Sequence, residues 1–172
     1  MHDLVVPVYT IDSGGSRVVV SARSSIHDTR TVWSALSGTV TAEPADLAGA
    51  AAELAVDMTR YDAGDFLKNR KIKKDLEVEK HPTARFRLAA LREVAEDRPG
   101  HFTARADGAI EWRGRTVSVA AAGEGTLDGA ELRATARFEL DVRGFGVEPP
   151  RFLMFKVEEV VAVEVTLLAR SA

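Results

Sequence analysis

Apolar and polar residues alternate along most of this chain. In "AELAVDMTRYD", Leu54, Val56 and Met58 alternate with Ala55, Asp57 and Thr59. That is the period of two of a strand with one buried face, not the 3.6 of a helix. "SRVVVSAR", "TVWSALSGTVTAEP", "TARFRLAALREV", "HFTARADGAIEWRG", "RTVSVAAAGEGTL" and "TLDGAELRATARFELDV" read the same way. Glu43-Pro44 stops the second of these segments. Asp128-Gly129 is the strongest short hairpin signal in the chain. The β-branched C-terminal segment "KVEEVVAVEVTLLA" reads as a long strand. Many antiparallel strands at this spacing predict an all-β closed barrel or a sandwich.

Two segments break the alternation. Residues 64–76 predict one short helix, with Leu67, Ile72 and Leu76 as its apolar face. Five of the seven residues from Lys68 to Lys74 are Lys or Arg, so the helix is strongly basic. Residues 144–156, "GFGVEPPRFLMFK", read as a loop with at most one helical turn. Phe145, Phe152, Leu153, Met154 and Phe155 make it too apolar for an ordinary solvated loop. It is expected to plug one end of the barrel, since Met and Phe fill irregular gaps well. An exposed patch for a partner subunit or membrane is the alternative.

The 172 residues are enough for one domain, taken as 1–172, with a substantial core. The hydrophobic fraction of 45% is that of a globular protein. A net charge of −3 argues against whole-surface attraction to nucleic acid. With no cysteine, disulfides, thiolate catalysis and Cys-ligated zinc are excluded. His2, His27, His81 and His101 share no ligand spacing, so no metal site is expected. Gly-x-Ser-x-Gly, P-loop and Gly-x-Gly-x-x-Gly motifs are absent. The expectation is a non-enzyme with no catalytic residues. The start "MHDLVVPVYTID" has no basic n-region, and no stretch is long enough to span a bilayer. A soluble, cytoplasmic protein is expected from the chain as given, unless a secreted form has been trimmed.

Several segments, in order, resemble the YceI-like family. "YTIDSGGSRVVVSAR" is similar to its Tyr-x-x-Asp opening, and "LSGTVTAEP" to its Phe-Ser-Gly-x-Ile-x-Phe-Asp-Pro segment. "LEVEKHPTARF" resembles its Asp-Val-Glu-Lys-Tyr-Pro-x-x-x-Phe pattern, and "IEWRGRT" its Leu-x-Ile-Arg-Gly-x-Thr hairpin. "FGV" at 145–147 and "EEVVAVEV" resemble its closing segments. The chain departs from that pattern at Gly15, Val20, Ser24, Ser25, Leu36, Ala42, His81, Val142 and Gly144, where aliphatic or small residues often stand for aromatic or charged ones. The resemblance implies a lipocalin-like antiparallel barrel of about eight strands with an apolar tunnel for an isoprenoid chain. The ligand would be a quinone or a polyprenyl phosphate, and no other cofactor is implied.

Alternation and the resemblance together point Val18, Val20, Ala22, Leu36, Val40, Leu54, Val56, Met58, Phe86, Ile110 and Trp112 into the barrel. Phe145, Phe152 and Phe155 join them from the late loop. An eight-stranded barrel can be filled by side chains or can hold one small ligand, and the apolar positions do not separate core from cavity. Lys68, Arg70 and Lys71 are head-group candidates; a merely solvated helix is the plainer reading. The expected function is carriage or sequestration of a long apolar lipid. A cofactor protein or enzyme using the same barrel, and a filled barrel acting through a protein surface, stay open. The oligomeric state also stays open, a homodimer included.

Overall fold

The computed structural model describes residues 6–23, 28–147, 151–152, 155–156 and 159–171, with the side chains of 151–156 outside that description. The strands are β1 (Val8–Ile11), β2 (Arg17–Ala22), β3 (Thr29–Trp33), β4 (Leu36–Glu43), β5 (Asp46–Asp57), β6 (Tyr61–Asp62), β7 (Thr83–Arg98), β8 (His101–Trp112), β9 (Arg115–Asp128) and β10 (Glu131–Asp141). They are followed by β11 (Arg151–Phe152), β12 (Phe155–Lys156) and β13 (Val160–Ser171). One helix, α1 (Phe66–Leu76), separates β6 from β7.

Antiparallel pairing runs β1-β4-β5-β7-β8-β9-β10-β13 and returns to β1, where Tyr9 pairs with Ser171 and Ile11 with Ala169. These are the eight staves of a closed barrel, so the ring has no free edge. A 3-10 turn at Ser13–Gly15 divides the first stave, and β2 continues along the other half of β13. The segment "TVWSALSGTVTAEP" is not one strand. It breaks at Ser34-Ala35 into β3 and β4. There the Asp57 amide donates to the Ala35 carbonyl at 3.0 Å, taking a place a continuous ladder would fill.

Alternation sets the two faces, and one irregularity preserves them. On β7, Ala84 and Phe86 face inward, with Phe86 opposite Leu54 on β5 and Ile110 on β8. The register then shifts between Leu88 and Ala90. This bulge changes the phase, so Leu88 and Leu91 both reach the interior. The β8–β9 hairpin turns through Arg113 and Gly114, both at positive φ (55° and 69°), the geometry of a two-residue type I′ turn. The hairpin marked by Asp128-Gly129 turns through Gly129 and Ala130, with Asp128 opposite Glu131.

The Asp65 carboxylate caps α1 by accepting from the Lys68 amide at 2.9 Å. Lys73 and Lys74 in the last turn suit the negative end of the helix dipole. The apolar face of α1 differs from expectation. Ile72 and Leu76 pack against the barrel end, but Leu67 is 73% exposed beside Phe66 at 76%. Leu67 lies roughly 140° around the helix from Ile72 (five residues at 100° each), so the rotation that seats Ile72 turns Leu67 outward. The late loop begins with one helical turn, of the 3-10 type, at Val142–Phe145, and adds a pairing of β11 with β12 that was not expected.

Candidate functional site: the barrel interior and its helix end

Two apolar clusters lie inside the ring. At the helix end, Trp33, Met58, Val78, Trp112, Phe145 and Val147 are buried together. At the far end, Tyr9, Ile11, Leu36, Ala42, Ala50 and Ala169 are buried. Between them the inward side chains are only partly buried. Val18, Val20, Leu54, Val56, Phe86 and Ile110 all face inward, yet each retains some accessible surface. A solid core would bury such residues fully, because interiors pack to crystal density.

Small residues explain that accessible space. Across β8, β9 and β10, inward neighbours are Ala106 with Ala121, then Ala104 with Gly123 and Ala136, then Phe102 with Gly125 and Ala134. The intervening Ala120, Ala122 and Glu124 are exposed outside. A Cβ placed on Gly123 would meet only the Ala104 and Thr135 carbonyl oxygens, at 3.6 and 3.7 Å, both ordinary contacts within the wall. Nothing from across the barrel comes within 4 Å of it. Gly108 is the opposite case. A Cβ there would lie 2.5 Å from two Phe86 ring atoms, so the ring rests directly on that glycine. At the level of Gly123 the three strands thus present only small residues, bounded by Phe102 along β8 and Phe138 along β10, while Phe86 covers Gly108.

Aromatic side chains and a clamping arginine order the helix end. The edge of Phe145 meets Trp112, with ring centroids 5.5 Å apart, and Phe145 is 2% exposed. Phe145 thus fills the place expected of the late loop. Phe152 and Phe155, with Leu153 and Met154, lie outside the described side chains. Trp112 Nε1 donates to the His81 carbonyl at 3.0 Å, and Trp33 Nε1 to the Met58 carbonyl at 3.3 Å. Arg113 ties the pieces together. Its Nε donates to the Phe145 carbonyl at 3.1 Å and its Nη1 to the Leu76 carbonyl at 2.8 Å. Its guanidinium also lies 5.6 Å from the Trp112 ring centroid. One side chain so fastens the helix C-terminus and the Phe145 turn to the barrel rim.

The expected site residues divide accordingly. Val18, Val20, Leu54, Val56 and Ile110 are partly buried against the two clusters, and Phe86 is partly buried on Gly108. Leu36, Met58 and Trp112 are buried in the end clusters, Val40 packs at the far end, and Ala22 is half-buried at the end of β2. On α1, Lys68 lies 4.0 Å from Asp65 and Lys71 3.0 Å from Asp75. The buried Asp75 Oδ2 has that ammonium as its charge partner but no aligned hydrogen bond. Arg70 is exposed on the outward side. Arg113 and the small-residue wall were not among the sequence candidates. The signal for that wall lies in the alternation of "RADGA" and "AAAGEG". A separate groove of about 570 Å³ lies on the outer wall between Arg30, Arg137, Glu139 and Glu164. Its cross-strand Arg137–Glu164 pair, at 2.9 Å, marks it as solvated surface. Among the described residues, no group of three His, Asp or Glu side chains is placed to hold a metal ion.

The sequence profile of the YceI-like domain matches residues 9–169, which span the whole ring. The chain belongs to the YceI-like family. Solved structures agree on the fold of this YceI-like chain. BcnA of Burkholderia cenocepacia is similar with a TM-score of 0.77 at 20% identity, over 92% of this chain and 98% of BcnA. A polyisoprenoid binding domain from Saccharophagus degradans, implicated in plant cell wall breakdown, is similar with a TM-score of 0.75 at 13% identity, over 98% and 100%. The YCEI protein of Campylobacter jejuni gives 0.65 at 10% identity, over 83% and 84%. At these identities the likeness shows the fold. No curated protein sequence matches the YceI-like chain.

Proposed function

We propose that this YceI-like barrel binds one long apolar lipid of the isoprenoid class in its interior, as a carrier or sequestering protein and not as a catalyst. The observation that carries the reading is the band of small inward residues Ala104, Ala106, Ala121, Gly123, Ala134 and Ala136 across β8, β9 and β10, with larger aliphatic and aromatic residues at the other inward positions. A narrow space with one smooth band among studded positions suits a slender, methyl-branched chain better than a flat ring. The shared fold of the polyisoprenoid binding domain supports the same ligand class. Tail burial would supply most of the affinity, at roughly 0.8 kcal/mol per CH₂. An exposed ion pair adds only about 0–1 kcal/mol. A charged head group, if present, would meet Lys68 and Lys71, the candidate cations on the flanks of α1. Arg70 points away and is not included.

The test is mass spectrometry of organic extracts from the protein purified without detergent, followed by reloading with a polyprenyl phosphate and with a quinone. A co-purifying isoprenoid, or saturable binding of either ligand, is the expected result. An empty extract with no uptake of either would overturn the reading.

A further inference from the structure

The outward face of α1 is a second feature, separate from the barrel interior. Phe66 and Leu67 are 76% and 73% exposed, the two most exposed large apolar side chains among the described residues. They occupy the first turn of the only helix among the described residues, on a loop-borne element that lies over the barrel end. Arg70 and Lys74 follow Phe66 at spacings of four, so the three form one stripe along the outward side. Both cations are exposed and carry no ion pair among the described residues.

The acids of this segment are engaged elsewhere. Asp65 caps the helix. Asp75 takes Lys71 on the side toward the barrel. Glu79 takes Lys73, holding that ammonium's pKa above its ordinary value. Glu77 takes Lys80 and faces Arg113, which together hold its carboxyl below the ordinary range. The outward stripe is therefore apolar at one end and positive along the rest, on a chain whose net charge is −3. Two adjacent large apolar side chains beside two cations on one helix face form a small amphipathic patch. A bilayer surface with anionic head groups suits both parts at once, with the apolar side chains at the acyl-chain boundary and the cations among the phosphates.

We propose that α1 docks the barrel on anionic lipid surfaces, with Phe66 and Leu67 inserted and Arg70 and Lys74 on the head groups. Docking this way sets the helix end toward the bilayer. The surface acts whether or not the interior holds lipid, and only its use in lipid exchange rests on the reading above.

The experiment is co-sedimentation of the full chain with vesicles of phosphatidylcholine alone, or of an equal mixture with phosphatidylglycerol, at low and high salt. Binding is expected on the mixed vesicles, weakened by salt. Arg70→Gln with Lys74→Gln should lower that binding roughly 25-fold, about fivefold for each cation. Phe66→Ser with Leu67→Ser should abolish it while leaving the thermal midpoint and the lipid extracted from the protein unchanged. Wild-type protein that stays in the supernatant with mixed vesicles would overturn the proposal. So would undiminished binding by the folded Phe66→Ser/Leu67→Ser variant, or self-association through these residues without vesicle binding. An empty lipid extract with no uptake of polyprenyl phosphate or quinone, from protein that still binds vesicles, would sink the interior reading alone.

Discussion

Replacing Gly123 by Leu separates an open interior from a filled one by the sign of the stability change. Only wall carbonyls at 3.6 and 3.7 Å stand near the position of the new Cβ, and nothing reaches it from across the barrel. In an open interior, the leucine has room for an ordinary rotamer, and losing a strand glycine stabilises the fold by about 0.5–1 kcal/mol. In a filled core the same four carbons overpack and cost about 1–3 kcal/mol. The two cases differ by more than the error of a denaturant midpoint. The same side chain removes space for about four tail carbons, or about 3 kcal/mol of burial at ~0.8 kcal/mol each. Isoprenoid affinity should therefore fall about 200-fold. The assay pairs urea denaturation with titration of a fluorescent farnesylated probe. Gly108→Ala is the control, because its Cβ would press on the Phe86 ring at 2.5 Å and on the Arg87 carbonyl at 2.6 Å. It should lose stability where Gly123→Leu gains it. A Gly123→Leu variant that loses more than about 1 kcal/mol, with probe binding unchanged, would refute the open interior.

Arg113→Ala should cost about 2–4 kcal/mol, since two hydrogen bonds from a charged donor and a ring contact are lost together; the melting point would fall by about 5–15 °C, read by circular dichroism. Arg113→Lys should recover less than half, because a single ammonium cannot span the Leu76 and Phe145 carbonyls. Lys68→Gln with Lys71→Gln should weaken polyprenyl phosphate binding by less than tenfold, and only at low salt, leaving a neutral quinone unaffected; equal loss of both ligands would end the head-group role. Stability should fall in acid. Thr59 donates to Asp57 from its hydroxyl and amide, His101 bonds Asp97, and Arg143 bonds Asp141, and each holds its carboxyl below 3.8. A depressed folded pKa gives stability present above the unfolded value and lost as pH falls through the folded one, so the loss belongs below about pH 4. Thermal melts of Thr59→Val against wild type should converge there and differ most near neutrality.

Local chemistry was enough to read the strands, the short helix and the hairpin after Asp128. Each depends on residues close in the chain: alternation writes a two-faced strand, Asp65 caps the helix that follows it, and Asp-Gly marks a turn. The inward direction of Val18, Val20, Leu54, Val56, Phe86 and Ile110 was legible for the same reason. β5 shows where local signals fade. Its start, "DLAGAAAE", has little strand propensity, yet it pairs with β4, because ladder partners outweigh intrinsic preference. The outward turn of Leu67 followed from the angle at which Ile72 and Leu76 seat on the buried cluster at the barrel end, which no pattern within the helix specifies. Arg113 looked like a turn residue, because the carbonyls it grips lie 37 positions before it and 32 after. The interior wall needed the tertiary structure most of all. Glycine and alanine on three strands carry no message singly. Only the register that sets Ala104, Gly123 and Ala136 side by side makes them one smooth surface, and only closure of the ring decides what faces it across the barrel.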